Sequence, residues 1–155
     1  MKPAQHPPIY LDVCALERQY DDQRYYRIRI ETEAVELIMA QVRTGAYTLY
    51  YSPVHDEEIP RNSNEMRCKE LMLLLKTLAT YAKPHVKDAD ALERRGWQLE
   101  ATGLGIADAF HVAYAEAVGA DLVSCDDELI ARSRRGKIKV WCGTPVDFCK
   151  KEKLL

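Results

Sequence analysis

The sequence has no C-x-x-C pair, although it contains five cysteines, Cys14, Cys68, Cys125, Cys142 and Cys149. An odd number at wide gaps argues against a zinc knuckle or a thioredoxin-type redox motif. Cys14, Cys125 and Cys142 fall in strand-like apolar runs, where an unpaired cysteine is a common buried residue. A reducing, cytoplasmic setting is therefore expected. Long hydrophobic runs are missing too. The most apolar stretch, LMLLLKTLATYA, is broken by Lys76 and is too short to span a bilayer, so no membrane role is expected. The opening MKPAQHPPIYLDV has no long apolar region after Lys2, which speaks against a secretory signal. Excess charge of one sign is also lacking, since 22 Lys and Arg against 24 Asp and Glu leave a formal net charge of −2. No global positive field advertises nucleic acid. A nucleic-acid site in this chain must be a local basic patch or must act through metal ions.

What is present is an ordinary globular composition, 47% apolar and 30% charged over 155 residues. No repeat, low-complexity run or dividing linker occurs, so residues 1–155 are read as one domain. IYLDVCA (9–15), behind Pro7 and Pro8, reads as a buried strand with an acid inside it. Ile30, Ala34, Leu37, Ile38 and Val42 step by three and four toward Gly45, which predicts a helix. AYTLYY (46–51) is the next strand. Ser52 followed by Pro53 starts a short helix that Pro60 ends or distorts. A long helix runs from the Asn64 cap through NEMRCKELMLLLKTLATYAK, and KDADALERRG is a shorter one stopped by Gly96. GIADAFHVAYAEAVG is a helix stopped by Gly119, ADLVSC a strand, DDELIARSRRG a helix, and KIKVWCG a strand. Strands alternating with helices imply an α/β fold, a three-layer α/β/α sandwich around a central, mostly parallel sheet of four or five strands.

In such sheets ligands bind beyond the carboxyl ends of the strands. Asp12 ends IYL, Asp56, Glu57 and Glu58 follow TLYY, and Asp126 and Asp127 follow LVSC. Asp108 opens a helix that leads back to the sheet. Carboxylates gathered at one edge raise each other's pKa values, and a divalent cation relieves this. Mg²⁺ and Mn²⁺ favour hard oxygen ligands. A carboxylate-bound metal can activate water and stabilise charge on a phosphate during in-line displacement.

GIADAFHVAYAEAVGADLVSCDDELIARSRR resembles the most specific segment of the PIN-domain family of metal-dependent ribonucleases. It is similar to that family's Asp-Ala-x-His-x-Ala helix, Gly-Ala-Asp turn, apolar strand and terminal Ser/Thr-x-Asp. IYLDVCAL resembles the opening strand with its first acid, though Val13 and Cys14 stand where members usually carry Thr or Asn with Ser. SPVHDEEI resembles the segment in which a glutamate six residues after a serine is the second acid, here Glu58 after Ser52. The likeness runs from Ile9 to about Phe148 and is strongest to VapC-like toxins of bacterial toxin–antitoxin pairs. It implies a Mg²⁺- or Mn²⁺-dependent endoribonuclease with Asp12, Glu58, Asp108 and Asp126 as metal-binding, catalytic acids. Ser124 would support the fourth of these. An RNA substrate, a cognate antitoxin and a homodimer are implied on the same basis. The alternative is a catalytically weak PIN-like domain that binds RNA or protein.

Each residue also has a structural reading. Asp108 could be a helix cap or a first-turn acid favoured by the helix dipole, and Asp126 or Asp127 could cap DDELIARS. Asp12, inside a buried strand, has no such role and is costly unless used. Asp56 and Glu57 are rivals of Glu58 for the second acid. His111, one turn from Asp108, could touch substrate, orient an acid or simply pack. Arg18 and Arg132 are candidates for substrate phosphates, and RSRRGK and ERR could equally be solvated helix faces. Tyr20, Tyr25 and Tyr26 could stack bases or pack on the helical layer. The last strand, VWCGTP, has no lysine, which argues against a phosphorylatable receiver fold. Asp12-Val13-Cys14 in place of D-x-D argues against a haloacid-dehalogenase-type phosphatase.

Overall fold

Ile9–Leu11 (β1), Leu49–Tyr51 (β2), Thr80–Tyr81 (β3), Asp121–Val123 (β4) and Cys142–Gly143 (β5) lie side by side in a computed structural model of the chain. All neighbours are parallel, in the order β3–β2–β1–β4–β5. The structure describes residues 6–155, so the signal-sequence reading of residues 1–5 lies outside the described residues. The helices are Val13–Glu17 (α1), Tyr26–Arg43 (α2), Pro53–Glu58 (α3), Glu65–Leu78 (α4), Ala89–Ala101 (α5), Ile106–Val118 (α6), Asp127–Arg135 (α7) and Pro145–Lys151 (α8). None is long and apolar enough to cross a membrane, among the described residues.

Alternation along the strands builds two cores. Ile9 and Leu11 of β1, Leu49 and Tyr51 of β2, and Val123 of β4 pack with Ala34, Ile38, Leu71, Leu75 and Phe148, from α2, α4 and α8. Tyr10 and Leu122 point the other way, against Leu99, Ala109, Val112, Leu129 and Ile130, from α5, α6 and α7. The result is the expected three-layer α/β/α sandwich around a parallel five-stranded sheet.

Several element boundaries differ from the sequence reading. β1 stops at Leu11 and does not continue to Ala15. Asp12 takes extended geometry and its side chain accepts a hydrogen bond from the Ala15 amide, which starts α1. The long helix expected through Ala79–Lys83 ends at Leu78, because Thr80 and Tyr81 pair with Tyr50 and Tyr51 as an edge strand. Gly96 does not stop α5 but lies inside it, where a Cβ would come within 2.5 Å of the Phe110 ring. The strand expected from Lys137 shrinks to Cys142–Gly143, and Lys137 has a positive φ of 51°. α8 was not expected from the pattern, although Thr144, Pro145 and Asp147 form a capping box with Pro in the first turn. Ser52, Asn64 and Gly119 do punctuate the chain as expected, the last with φ 66° at the end of α6.

Candidate active site

Strand order reverses between β1 and β4, since β2 and β3 lie on one side of β1 and β4 and β5 on the other. A crevice at the carboxyl ends of β1 and β4 is where an open α/β sheet places a ligand. Asp12 leaves β1 there, and Ser124 and Asp126 leave β4.

Asp12 is buried, only 3% exposed. Its Oδ1 accepts the Ala15 amide at 3.0 Å, and its Oδ2 accepts the Ser124 hydroxyl at 2.5 Å. The same hydroxyl oxygen accepts the Asp126 amide at 3.0 Å. One serine therefore joins the ends of the two strands and ties the first acid to the backbone of the fourth. The Cys14 thiol lies 3.4 Å from Asp12 Oδ1, so sulfur supplies a weak donor beside the first acid. Burial pushes the Asp12 carboxyl above its ordinary value, against the pull of Ser124, His111 and the Ala15 amide.

Asp126 caps α7, its Oδ1 accepting the Glu128 and Leu129 amides at 2.9 and 3.2 Å. Oδ2 has no hydrogen-bond partner among the described residues. Asp126 and Asp108 share a cavity of about 90 Å³ with Leu104, Gly105, Glu128, Leu129 and Arg132. Asp108 sits in the first turn of α6, but Gly105 occupies the cap position and no side chain caps that helix. Half-burial pushes the Asp108 carboxyl up to about 6, helped by the charges of Asp12, Asp126 and Glu58 and opposed by His111. Asp108 thus feels the charges of three acids from three other chain segments.

Glu58, at the end of α3, differs from its rivals in its partners. Its Oε1 lies 2.6 Å from His111 Nε2. Asp56 accepts the Tyr81 hydroxyl at 2.8 Å instead, and Glu57 is exposed. His111 is fully buried in α6, and its other nitrogen, Nδ1, lies 2.5 Å from Tyr10 Oη, which lies 2.7 Å from Ser52 Oγ. Nearby His55 accepts the Ser52 amide at Nδ1, so its proton is on Nε2 and is donated to the Leu11 carbonyl at 2.7 Å. Burial and the neighbouring His111 push the His55 pKa down to about 3.

The phosphate candidates separate. Arg132 lines the acid cavity, holds Glu128 at 2.5 Å and donates to the Gly103 carbonyl. Arg18 is committed to buried Glu31 at 2.9 Å and to Asp21 at 3.0 Å. Asp127, the other candidate cap of α7, instead forms a two-pronged pair with Arg27 at 2.7 Å that straps α2 to α7. Tyr25 and Tyr26 are exposed, while the Tyr20 hydroxyl donates to Glu70. Sequence reasoning missed Tyr10 and Ser52 as neighbours of the site. The only signal for Tyr10 is a phenol in an otherwise aliphatic buried strand, which needs a polar partner when buried.

The donors fit a hard divalent ion. All four are carboxylates, and two of them, Asp12 and Asp108, are held above their ordinary pKa by burial. Among the described residues no three His, Cys, Asp or Glu side chains form a ready-made cage. Mg²⁺ does not need one, because it is commonly bound by one or two carboxylates and keeps several waters.

Residues 24–134 match the family model of the PIN domain. No curated protein matches the chain.

Proposed function

Because the chain belongs to the PIN-domain family, a family of nucleases, we propose that it is a Mg²⁺- or Mn²⁺-dependent endoribonuclease, with residues 1–155 as a single domain. Asp12, Glu58, Asp108 and Asp126 would hold the ion, which when bound supplies a Lewis acid for the phosphate and an acidified water. The observation that carries this reading is the gathering of acids at the switch point: Ser124 ties Asp12 to the Asp126 amide, and Asp126 shares a cavity with Asp108. Burial and the neighbouring acids raise the Asp108 carboxyl to about 6, an arrangement that costs stability unless a cation shares it.

The remaining work belongs to the chain's own groups. Ser124 holds Asp12 and the start of α7 in one register, so the first and fourth acids keep a fixed spacing. Asp126 keeps Oδ2 free while Oδ1 is used on α7. Arg132, on the wall of the same cavity, would hold a substrate phosphate, whereas Arg18 serves the fold through Glu31. Next to Glu58 a groove of about 340 Å³, walled by Trp97, Ile106, Phe110 and Tyr114, offers aromatic faces to an unpaired base.

On the resemblance to VapC-like toxins we further propose that the protein is the toxin of a type II toxin–antitoxin pair, acting as a homodimer in the cytoplasm and silenced by its antitoxin. Five unpaired cysteines agree with a reducing compartment. The test is incubation of a structured RNA with the wild-type chain and with Asp108→Asn, in Mn²⁺ and in chelator. Cleavage only by the wild type and only with metal supports the reading. RNA binding with no cleavage in any metal would instead make the domain a binding module. Growth arrest on expression of the wild type but not of Asp108→Asn checks the toxin role.

A further inference from the structure

A buried row of polar side chains runs through the core to Glu58: Ser52, Tyr10 and His111. All three are fully buried, and they come from the end of β2, from β1 and from α6. The fold would gain more from apolar residues at these positions unless the row has a use, because buried polar groups are costly unless every partner is met.

Counting hydrogens fixes the direction of the row. Ser52 Oγ already accepts the Val54 amide at 3.2 Å. Among the described residues its own proton has one hydrogen-bond acceptor, Tyr10 Oη at 2.7 Å. Tyr10 then gives its proton to His111 Nδ1 at 2.5 Å, and the remaining ring proton, on Nε2, is donated to Glu58 Oε1 at 2.6 Å. In the opposite sense His111 would donate to Tyr10 and Tyr10 to Ser52, and the serine hydroxyl would be left with no acceptor in the core. Only the first arrangement satisfies every donor.

Resting on the metal-nuclease reading above, the geometry points to Tyr10 and His111 as positioning residues for the second acid. They aim one oxygen of Glu58 into the protein, so that its other oxygen is presented to the cation. Neither residue touches substrate. The row also selects Glu58 over its neighbours, because Asp56 is held by Tyr81 and Glu57 faces solvent. Without this anchor Glu58, on the last turn of a six-residue helix, would move among rotamers.

The experiment uses the full chain and Mn²⁺ alone as probe, with affinity measured by calorimetry before any RNA is added. Tyr10→Phe and His111→Leu are expected to weaken Mn²⁺ binding roughly 10- to 100-fold, the usual effect of removing a partner that orients a ligand. Saturating Mn²⁺ should restore most of the cleavage rate of Tyr10→Phe. His111→Gln, whose amide N–H can replace the Nε2 donor, should recover affinity that His111→Leu loses; a residue that only fills space would show no such difference. The imidazole ¹⁵N–¹H correlation of the wild type needs no variant and should show His111 protonated at Nε2 and bare at Nδ1. A proton on Nδ1, or variants that bind and cleave like an active wild type, overturns the inference alone. A wild type that neither binds Mn²⁺ nor cuts RNA removes the nuclease reading, and this inference with it.

Discussion

Asp108 shows how one side chain separates function from stability. Its carboxyl is half-buried, accepts no backbone amide and faces three like charges, so in the metal-free protein it is a liability. Asp108→Asn is expected to abolish cleavage and to raise metal-free stability at pH 7 by about 1 kcal/mol, a value discounted because water reaches the group. The folded-state pKa, about 6, lies above the ordinary value of 3.8. The folded protein therefore takes up the proton first as pH falls, and the cost of the charge disappears below about 6. The advantage of the variant should be full at pH 7 and shrink toward zero near pH 4 in urea titrations. A clear loss of stability at pH 7 would mean that the acid mainly serves the helix dipole. Asp12 corrects the expectation from sequence, because it does have a structural use, as cap of α1. Asp12 and Asp126 could be singled out from the sequence because each lies just past an apolar strand run, whereas Glu58 and Asp108 rested on the family resemblance. The row behind Glu58 was not legible, because Tyr10 meets partners 42 and 101 positions away.

At the scale of elements, β3 was hidden because its two residues continue an apolar helical run and only pairing with β2 makes them a strand. Gly96 was misread for a related reason. Glycine at the end of a periodic segment signals a stop, but here it admits the Phe110 ring against α5. Gly96→Ala should therefore cost about 1 kcal/mol despite alanine's better helix propensity, since overpacking outweighs that gain. In a Phe110→Leu background the same change should be neutral or stabilising, and a double-mutant cycle by chemical denaturation measures the coupling. The start of α3 makes a separate prediction. His55, in a capping box with Ser52, is buried with its pKa lowered from 6.5 to about 3. Its contribution to stability is complete above pH 6.5 and is lost as pH falls toward 3, because the unfolded chain binds the proton first. Relative to His55→Gln, the wild type should lose about 1.4 kcal/mol per pH unit across that window. A difference between the two proteins that does not change with pH would show that His55 titrates normally.

For the whole molecule, the switch point of the sheet places several tied but mutually repelling acids where β1 and β4 end. A ligand that binds only the folded state stabilises it by mass action, at about 2.7 kcal/mol when present at a hundred times its Kd. Mn²⁺ should therefore raise the melting temperature of the wild type in a concentration-dependent way, and a chelator should reverse the rise. Ca²⁺, larger and satisfied by more ligands, should do so less well at a site offering few protein oxygens. Asp12→Asn has one oxygen for the two hydrogen bonds that Oδ1 and Oδ2 accept from Ala15 and Ser124, so it should lose one of them, together with most of the response to Mn²⁺. Arg27→Ala, which cuts the strap between α2 and α7 on the surface, should leave that response intact and change stability by less than about 1 kcal/mol. Melting curves of the three proteins, with and without Mn²⁺, decide whether the cation is held by the carboxylates at the switch point. Equal shifts in wild type and Asp12→Asn would place the ion elsewhere.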